Sequence, residues 1–326
     1  MSNQIDRREF LARTTLGVAA LALPHARRVQ TGSTAPTGMF VSLPPWAVAR
    51  NVGWPEQARL AARVGYKGID WAFGPARTAG VEATRALLAE LDIVPTIVNL
   101  PMQDTLRGDE AAFEAQLPKL AEDAAFCRAI GCSRFQFVLG PTTQNSESKA
   151  ERWAFVRRRL SMISDVLARY DMRLGLEFLG PLVFRLPSNP GTPAPVPFVF
   201  TLNETLALGA ASGPNVGVTL DAWHWYHSGG TIADVRAANA SRIVHVHVSD
   251  ARPMPAEQVR DDMRWLPGEG VIDLVGFFQA LKAIGYEGGV SPETIGPRIA
   301  NGMPPEESAR LGLESTLAVM RKAGVV

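Results

Sequence analysis

RFQFVLG (134–140) and RLGLEFLG (173–180) are short apolar runs, and between them lies ERWAFVRRRLSMISDVLARY (151–170), whose apolar residues follow helical spacing. Short apolar runs that end in glycine are typical of buried strands, whereas the longer segment is typical of an amphipathic helix. A helix between two buried strands predicts a strand–helix–strand unit with parallel strands. This stretch decides the fold class, because parallel strands need such crossover connections.

The same alternation continues through the chain from about residue 38, in eight strand–helix pairs. Eight pairs over about 290 residues predict one (β/α)8 TIM barrel, which we assign to residues 37–326. A doubly wound open sheet would suit fewer pairs, and no G-x-G-x-x-G motif opens a strand-to-helix turn. The predicted strands are 39–45, 68–74, 94–101, 134–140, 173–180, 216–225, 242–250 and 288–295, and the predicted helices are 55–66, 81–92, 110–130, 151–170, 203–211, 232–239, 273–285 and 306–324.

The charge balance argues against a nucleic-acid partner. The 326 residues include 33 Lys and Arg and 32 Asp and Glu, so the chain lacks the basic excess of such binders. Its composition, 46% hydrophobic and 20% charged, is that of an ordinary globular domain. Two cysteines, Cys127 and Cys132, predict buried free thiols rather than a disulfide framework.

The N-terminus differs from the barrel segments. Arg7 and Arg8 begin the pattern Arg-Arg-x-Phe-Leu and precede the short apolar run 16–23. This pattern predicts a twin-arginine export signal, and the run is shorter than the roughly 20 apolar residues that span a bilayer. The alternative is a chance arginine pair on an N-terminal helix. We assign residues 1–36 to a signal and linker, and expect a periplasmic or secreted protein that meets the twin-arginine translocase and has no stable membrane anchor.

Polar residues end four consecutive strands of the predicted barrel. Glu177, Asp221 and Glu293 lie at the ends of the fifth, sixth and eighth strands, and His247 lies near the end of the seventh. Active sites of such barrels form where the carboxyl ends of the strands meet. Three carboxylates and one imidazole suit Mn²⁺, Mg²⁺, Co²⁺ or Zn²⁺, and a cation would offset the repulsion among the carboxylates. We therefore predict a divalent-metal site, with a helix cap as the alternative for each carboxylate and a core or supporting role for His245.

These motifs resemble those of the sugar phosphate isomerase/epimerase family, which has a xylose isomerase-like barrel. The matching stretches are LEFLGP, LDAWHWYHSGGT, VHVHVSDA, GEGVIDL and GYEGGVSPETI, in the family's order. The resemblance implies that Glu177, Asp221, His247 and Glu293 bind the metal, with Mn²⁺ as the first expectation. It also implies that the two glutamates act as acid and base and that His224 contacts substrate.

Two positions depart from this family's pattern. Arg252 lies near a substrate-binding arginine of several relatives, but its spacing from His247 differs by one residue from the epimerases. Ketose 3-epimerases also carry a second glutamate six residues after the first, where this chain has Val183. The resemblance therefore implies the metal chemistry more firmly than the reaction of a ketose 3-epimerase.

Further residues near strand ends are candidates for substrate binding. Asn99 ends the third strand, Arg185 follows the fifth, and Trp223 precedes His224. We expect His227 to be structural or solvent-facing. The remaining aromatic candidates, each of which barrel packing would also explain, are Trp46, Trp71, Trp225 and Tyr226.

The predicted function is that of a metal-dependent sugar isomerase or epimerase. A metal-bound carbonyl acidifies the neighbouring C–H, so that a glutamate can remove the proton and leave an enediolate. The substrate is a ketose, a cyclitol ketone or a keto-sugar. A leaving group on the next carbon would instead make the enzyme a lyase or dehydratase on an inosose or 3-keto-glycoside. A non-catalytic periplasmic sugar-binding protein is the alternative of another class, and a homo-oligomer is left open.

Overall fold

The computed structural model describes residues 36–144, 147–187, 189, 191–299 and 302–326. The predicted export signal, including Arg7 and Arg8, lies outside the described residues. Within them, no helix combines the length and the apolar character that a bilayer crossing requires.

The described elements alternate between strands and helices along the chain. The strands are β1 Met39–Leu43, β2 Gly68–Ile69, β3 Val94–Pro95, β4 Val98–Asn99, β5 Arg134–Leu139, β6 Arg173–Phe178, β7 Val216–Asp221, β8 Ile243–Val248 and β9 Gly288–Pro292. The helices are α1 Pro45–Val48, α2 Trp54–Val64, α3 Phe73–Ala79, α4 Val81–Glu90, α5 Glu110–Glu114, α6 Leu117–Ala129, α7 Lys149–Ala168, α8 Leu202–Ser212, α9 Ala222–His227, α10 Ile232–Ala237, α11 Leu274–Ala283 and α12 Pro305–Lys322. Short 3₁₀ turns cover Leu182–Arg185, Ala240–Arg242, Ala256–Gln258 and Asp261–Met263.

All strand pairs are parallel, in the order β3-β2-β1-β9-β8-β7-β6-β5-β4. The two strands at the ends of this order, β3 and β4, are separated along the chain only by Thr96 and Ile97. The run 94–99 therefore pairs with β2 at one end and with β5 at the other, which closes the ring. This confirms the predicted (β/α)8 barrel, with β3 and β4 as two halves of one strand position.

Several polar side chains lie in the interior of the barrel. Successive residues of a strand face opposite sides, so β8 places Val246 and Val248 under the helices and turns His245 and His247 inward. Ser42 and Thr96 place hydroxyls 2.8 and 2.7 Å from Asp70 Oδ1 in the same interior. These inward-facing polar side chains are available to form a site inside the barrel.

Most predicted helices begin and end within about two residues of the observed ones. Side-chain caps explain several starts: Ser148 and Glu151 form a reciprocal capping box at α7, and Thr201 caps α8. The prediction of one helix over 110–130 was wrong, because the chain breaks between α5 and α6. Pro118, in the first turn of α6, lacks the N–H that a continuous helix would need at that position. Cys127 and Cys132 are buried free thiols, as predicted.

Candidate active site

Four side chains converge at the carboxyl end of the barrel. Glu177 on β6, Asp221 at the end of β7, His247 on β8 and Glu293 directly after β9 each offer a ligand atom, and these atoms all lie within 4.8 Å of one another. All four side chains are buried. The structure thus brings together the four residues that the sequence predicts as metal ligands.

His247 lies at the centre of this cluster. Its Nδ1 is 2.9 Å from Glu177 Oε1 and 2.8 Å from Glu293 Oε2. Burial lowers the pKa of His247, but the two carboxylates outweigh burial and raise that pKa well above its ordinary value. The contact between Glu293 Oε2 and His247 lies outside hydrogen-bonding geometry, so this oxygen has an ion-pair partner but no hydrogen-bond partner among the described residues. The carboxylates therefore favour a positive charge at this position, as a bound cation would supply.

Asp221 is both a helix cap and a member of the cluster. Its Oδ1 accepts a hydrogen bond from the Trp223 N–H at 2.8 Å, which caps α9. Its Oδ2 accepts one from Arg264 Nη1 at 2.6 Å. Burial opposes ionisation, but Arg264 and the neighbouring histidines outweigh burial and lower the pKa of Asp221 to about 2. The carboxylate is therefore ionised at neutral pH, as a metal ligand must be.

Glu293 has the opposite electrostatic character. Burial raises the pKa of Glu293 to about 7, against the attraction of Arg264 and His247. Arg264 Nη2 lies 3.5 Å from Glu293 Oε1. Asp221 is thus held ionised, which suits a ligand, whereas the pKa of Glu293 lies near neutral pH, which suits a group that accepts and returns a proton.

The donor set fits a divalent cation. Three carboxylates and an imidazole converge in a buried space, and Glu293 Oε2 is left without a hydrogen-bond partner there. Oxygen and nitrogen donors of this kind suit Zn²⁺ and Mn²⁺. Burial of several carboxylates together is costly unless a cation or hydrogen bonds offset their charge.

His224 and Trp223 lie beside the cluster on α9. His224 Nε2 is 3.2 Å from Arg264 Nη2 and 3.7 Å from Asp221 Oδ2. The Phe184 ring packs edge-on against His224 at 6.3 Å. Trp223 is buried, and the Arg264 guanidinium lies over its ring at 5.5 Å, so the Trp223 ring supports the arginine. Gly180 is required next to this helix, because a Cβ there would collide with the His224 carbonyl.

Three other predicted substrate contacts lie outside the cluster. Asn99 is exposed and accepts a hydrogen bond from Gln136 at 2.8 Å. Arg185 donates to the carbonyl of Gly180 at 2.9 Å and stacks on the Phe200 ring, so it holds the loop after β6. Arg252 is exposed and stacks on Trp265 at 3.9 Å. Their contacts with substrate stay predictions.

Sequence reasoning missed two residues of the site. Arg264 is buried and contacts Asp221, His224 and Glu293 from the loop after β8. Asp70, directly after β2, lies 3.9 Å from His247 Nε2 through its Oδ2. Asp70 follows a strand in the same way as the predicted ligands, so the strand-end rule could have found it.

A groove of about 480 Å³ opens beside the cluster, at the ends of β2 and β4. Trp46, Phe73 and Asn99 line it together with Asp70. The half-buried Trp46 ring lies 6.2 Å from the His247 ring, so the groove is adjacent to the cluster. Of the other aromatic candidates, Trp71 is largely buried in the core but also lines the groove. Trp225 is buried in the core, and Tyr226 is 37% exposed.

His227 lies apart from the metal cluster and offers a separate test of the site's packing. Its ring packs edge-on against Trp223 at 4.4 Å, and its buried Nε2 has no hydrogen-bond partner among the described residues. Burial lowers the pKa of His227 to about 4. The folded protein therefore keeps this histidine neutral, whereas the unfolded chain takes up a proton near pH 6.5.

We expect His227→Gln to make the protein less sensitive to acid. The folded-state pKa lies below the unfolded one, so the unfolded chain binds more protons between about pH 6.5 and pH 4, and stability falls as the pH drops through that window. The variant lacks this titrating group, so its free energy of unfolding should fall less steeply as the pH drops. Urea unfolding of wild type and variant at pH 7.0, 5.5 and 4.5 measures the effect, and equal slopes in both proteins would contradict it.

Comparison with known proteins agrees with this fold. A family model described as xylose isomerase-like TIM barrel matches residues 58–322. A xylose isomerase domain protein from Alicyclobacillus acidocaldarius is 28% identical, with a TM-score of 0.76 over 88% of this chain and 99% of that chain. The protein IOLI, solved with a bound zinc atom, has a TM-score of 0.72 at 22% identity and covers 87% of this chain and 99% of its own, a likeness that shows the fold.

Among characterised sequences, an inosose isomerase from Bacillus velezensis is 26% identical over 66% of this chain and 71% of that relative. Three further bacterial inosose isomerases match over 66%, 53% and 54% of their own lengths. The names of these relatives are those of enzymes, which confirms the prediction that this chain is an enzyme.

Proposed function

Because this chain belongs to the xylose isomerase-like TIM barrel family, we propose that it is a divalent-metal-dependent sugar isomerase or epimerase. The reaction begins with removal of a proton from the carbon next to a carbonyl of a ketose, cyclitol ketone or keto-sugar. The convergence of Glu177, Asp221, His247 and Glu293 at the barrel mouth carries the proposal.

These four residues are the proposed cation ligands. The zinc of the structurally similar protein IOLI supports a divalent ion, and Mn²⁺ is the ion that the family resemblance implies first. When bound, the cation supplies a Lewis acid for the substrate carbonyl. Arg264 supports this arrangement, because its hydrogen bond to Asp221 holds that carboxylate in place and ionised.

Glu177 and Glu293 are the proposed acid and base. Both carboxylates lie within 3 Å of the same imidazole nitrogen, so both face the space in which the carbonyl would bind. A glutamate that accepts the C–H proton leaves an enediolate. Return of a proton to the opposite face of the same carbon, by the other glutamate, gives an epimer, and return to the next carbon gives an isomer. General acid–base help of this kind contributes about 10²–10⁴ in rate.

The inosose isomerases among the relatives support a cyclitol ketone as substrate. The groove beside the cluster is lined by Trp46 and Phe73, and aromatic faces of this kind stack on the C–H surfaces of sugar-like rings. His224 and Arg264 add hydrogen-bonding groups at the opposite side of the cluster.

The first step is the one to test, since every proposed product shares it. Purified protein incubated in D₂O with an inosose, a ketose or a keto-glycoside, and with Mn²⁺ or Zn²⁺, should incorporate deuterium next to the carbonyl of at least one substrate. Chelation of the cation should abolish the incorporation, and loss of water from the product would identify a dehydratase. Sugar binding without exchange under all these conditions would contradict the proposal and indicate a binding protein.

A further inference from the structure

We infer that Asp70 is a positioning residue that holds the proton of His247 on Nε2, so that Nδ1 is free to bind the cation. This inference rests on the proposed metal site and names a residue outside its four ligands. In each of the two residues, one side-chain atom has close partners and the other has no hydrogen-bond partner among the described residues.

One oxygen of Asp70 is already occupied. Ser42 Oγ lies 2.8 Å and Thr96 Oγ1 2.7 Å from Asp70 Oδ1, and both hydroxyls can donate to it. Asp70 is buried, so its carboxylate cannot turn to solvent. These contacts fix the plane of the carboxylate and leave Oδ2 directed elsewhere.

The free oxygen faces the free nitrogen of His247. Asp70 Oδ2 and His247 Nε2 are both buried and both without a hydrogen-bond partner among the described residues, and they lie 3.9 Å apart. A displacement of about 1 Å would bring them to hydrogen-bonding distance. His245 does not compete for Oδ2, because its Nε2 is 2.8 Å from the hydroxyl of Ser291.

The other nitrogen of His247 faces the proposed ligands. Nδ1 lies within 3 Å of both Glu177 and Glu293. A cation held by these carboxylates needs the lone pair of Nδ1, and a neutral imidazole then carries its proton on Nε2. Asp70 Oδ2 is the acceptor at that position. Metal-binding histidines commonly donate their second N–H to such a group, and loss of the acceptor costs about 10–100-fold in metal affinity.

Direct ligation by Asp70 is the competing arrangement. Asp70, His245 and His247 also place ligand atoms within 4.8 Å of one another, below the main cluster. A second cation there would make His247 a bridge between two ions. The two arrangements differ in stoichiometry, because the positioning role requires one cation per chain.

Asp70→Asn tests the inference directly, because the side chain keeps its shape. The amide oxygen can still accept from Ser42 and Thr96, which turns the amide NH₂ toward His247 Nε2. That donor favours the tautomer with the proton on Nδ1. We expect one Zn²⁺ per chain in wild type, bound about 10–100-fold more weakly by the variant at fixed pH, as measured by competition with a chromogenic chelator.

Asp123→Asn is the matched control. Asp123 is a fully buried carboxylate on α6 that pairs with Arg77 and Lys119, away from the cluster. The Asp123→Asn variant should bind Zn²⁺ with the affinity of wild type. If Asp70→Asn fails to fold, ¹⁵N spectra of the histidines in Zn²⁺-loaded wild type decide the question: His247 should carry its proton on Nε2, and a metal-bound Nε2 would overturn the inference.

Wild-type affinity in Asp70→Asn, or two Zn²⁺ per chain in wild type, would also overturn it while leaving the proposed function in place. A wild type that binds no divalent cation would overturn the proposed function and this inference together.

Discussion

His247→Ala is expected to abolish retention of the divalent cation and, with it, metal-dependent solvent exchange. His247 supplies the one nitrogen donor of the four-residue cluster, and its Nδ1 lies within 3 Å of two of the three carboxylates. Alanine removes that donor and leaves Glu177 and Glu293 facing each other without the imidazole. Loss of a ligand should cost more than the roughly 10–100-fold loss of affinity that follows removal of a supporting partner.

Elemental analysis after dialysis measures this effect. Wild type should carry one divalent cation per chain, and His247→Ala should carry far less and show no deuterium incorporation. His227→Ala is the control, because His227 is a partly buried histidine near the site that packs on Trp223 and lies outside the cluster. Circular dichroism should show both variants folded. Stoichiometric metal in His247→Ala at wild-type affinity would remove His247 from the ligand set.

The four proposed ligands were predictable because strand geometry brings their positions together and the family resemblance implies their role as ligands. Parallel strands bring their carboxyl ends to one edge of a barrel, so the register of Asp221 opposite His247 and of His247 opposite Ser291 brings the strand ends together. The alternation of β8 likewise fixes which histidines face inward. Glu293 alone lies beyond its strand, one residue after β9, and the structure brings it together with the other three.

Asp70 was missed for a local reason. Asp70 lies four residues before the end of the predicted strand 68–74, as Asp221 does in 216–225, but the strand-end rule was not applied to this strand. In the structure β2 ends at Ile69 and α3 begins at Phe73, so Asp70 directly follows the strand. The strand is short, since only two of its residues pair with β1. An apolar run indicates burial but not where the hydrogen-bonded ladder ends.

Arg264 was missed for a tertiary reason. Its position depends on the path of the long loop between β8 and α11, which no periodicity describes. Asp250 anchors part of that path, since its backbone pairs with Trp265 and its carboxylate accepts from the N–H of Gly268 and Ile272. The family resemblance instead pointed to Arg252, which stacks on Trp265.

Glu293→Gln is expected to lower the rate of solvent exchange by about 10²–10⁴ while the cation is retained. Glutamine has the shape of glutamate and can still offer an oxygen to a cation, but it cannot accept the substrate proton. Arg264 Nη2 lies 3.5 Å from Glu293 Oε1 and can hold the amide oxygen in the same place. The loss should therefore appear in kcat, with little change in KM.

Metal content and exchange rate must be measured on the same samples. Loss of a metal ligand lowers both the metal content and the exchange rate, whereas loss of a base lowers only the exchange rate. Glu314→Gln is the control, since Glu314 is an exposed glutamate on α12 that pairs only with Arg310 among the described residues, and it should exchange as wild type does. A fall in exchange that merely follows lost metal, or exchange at the wild-type rate with full metal, would contradict a proton-transfer role for Glu293. A large loss of kcat at full occupancy separates proton transfer from metal binding, because the cation is then present and only the titratable oxygen is gone.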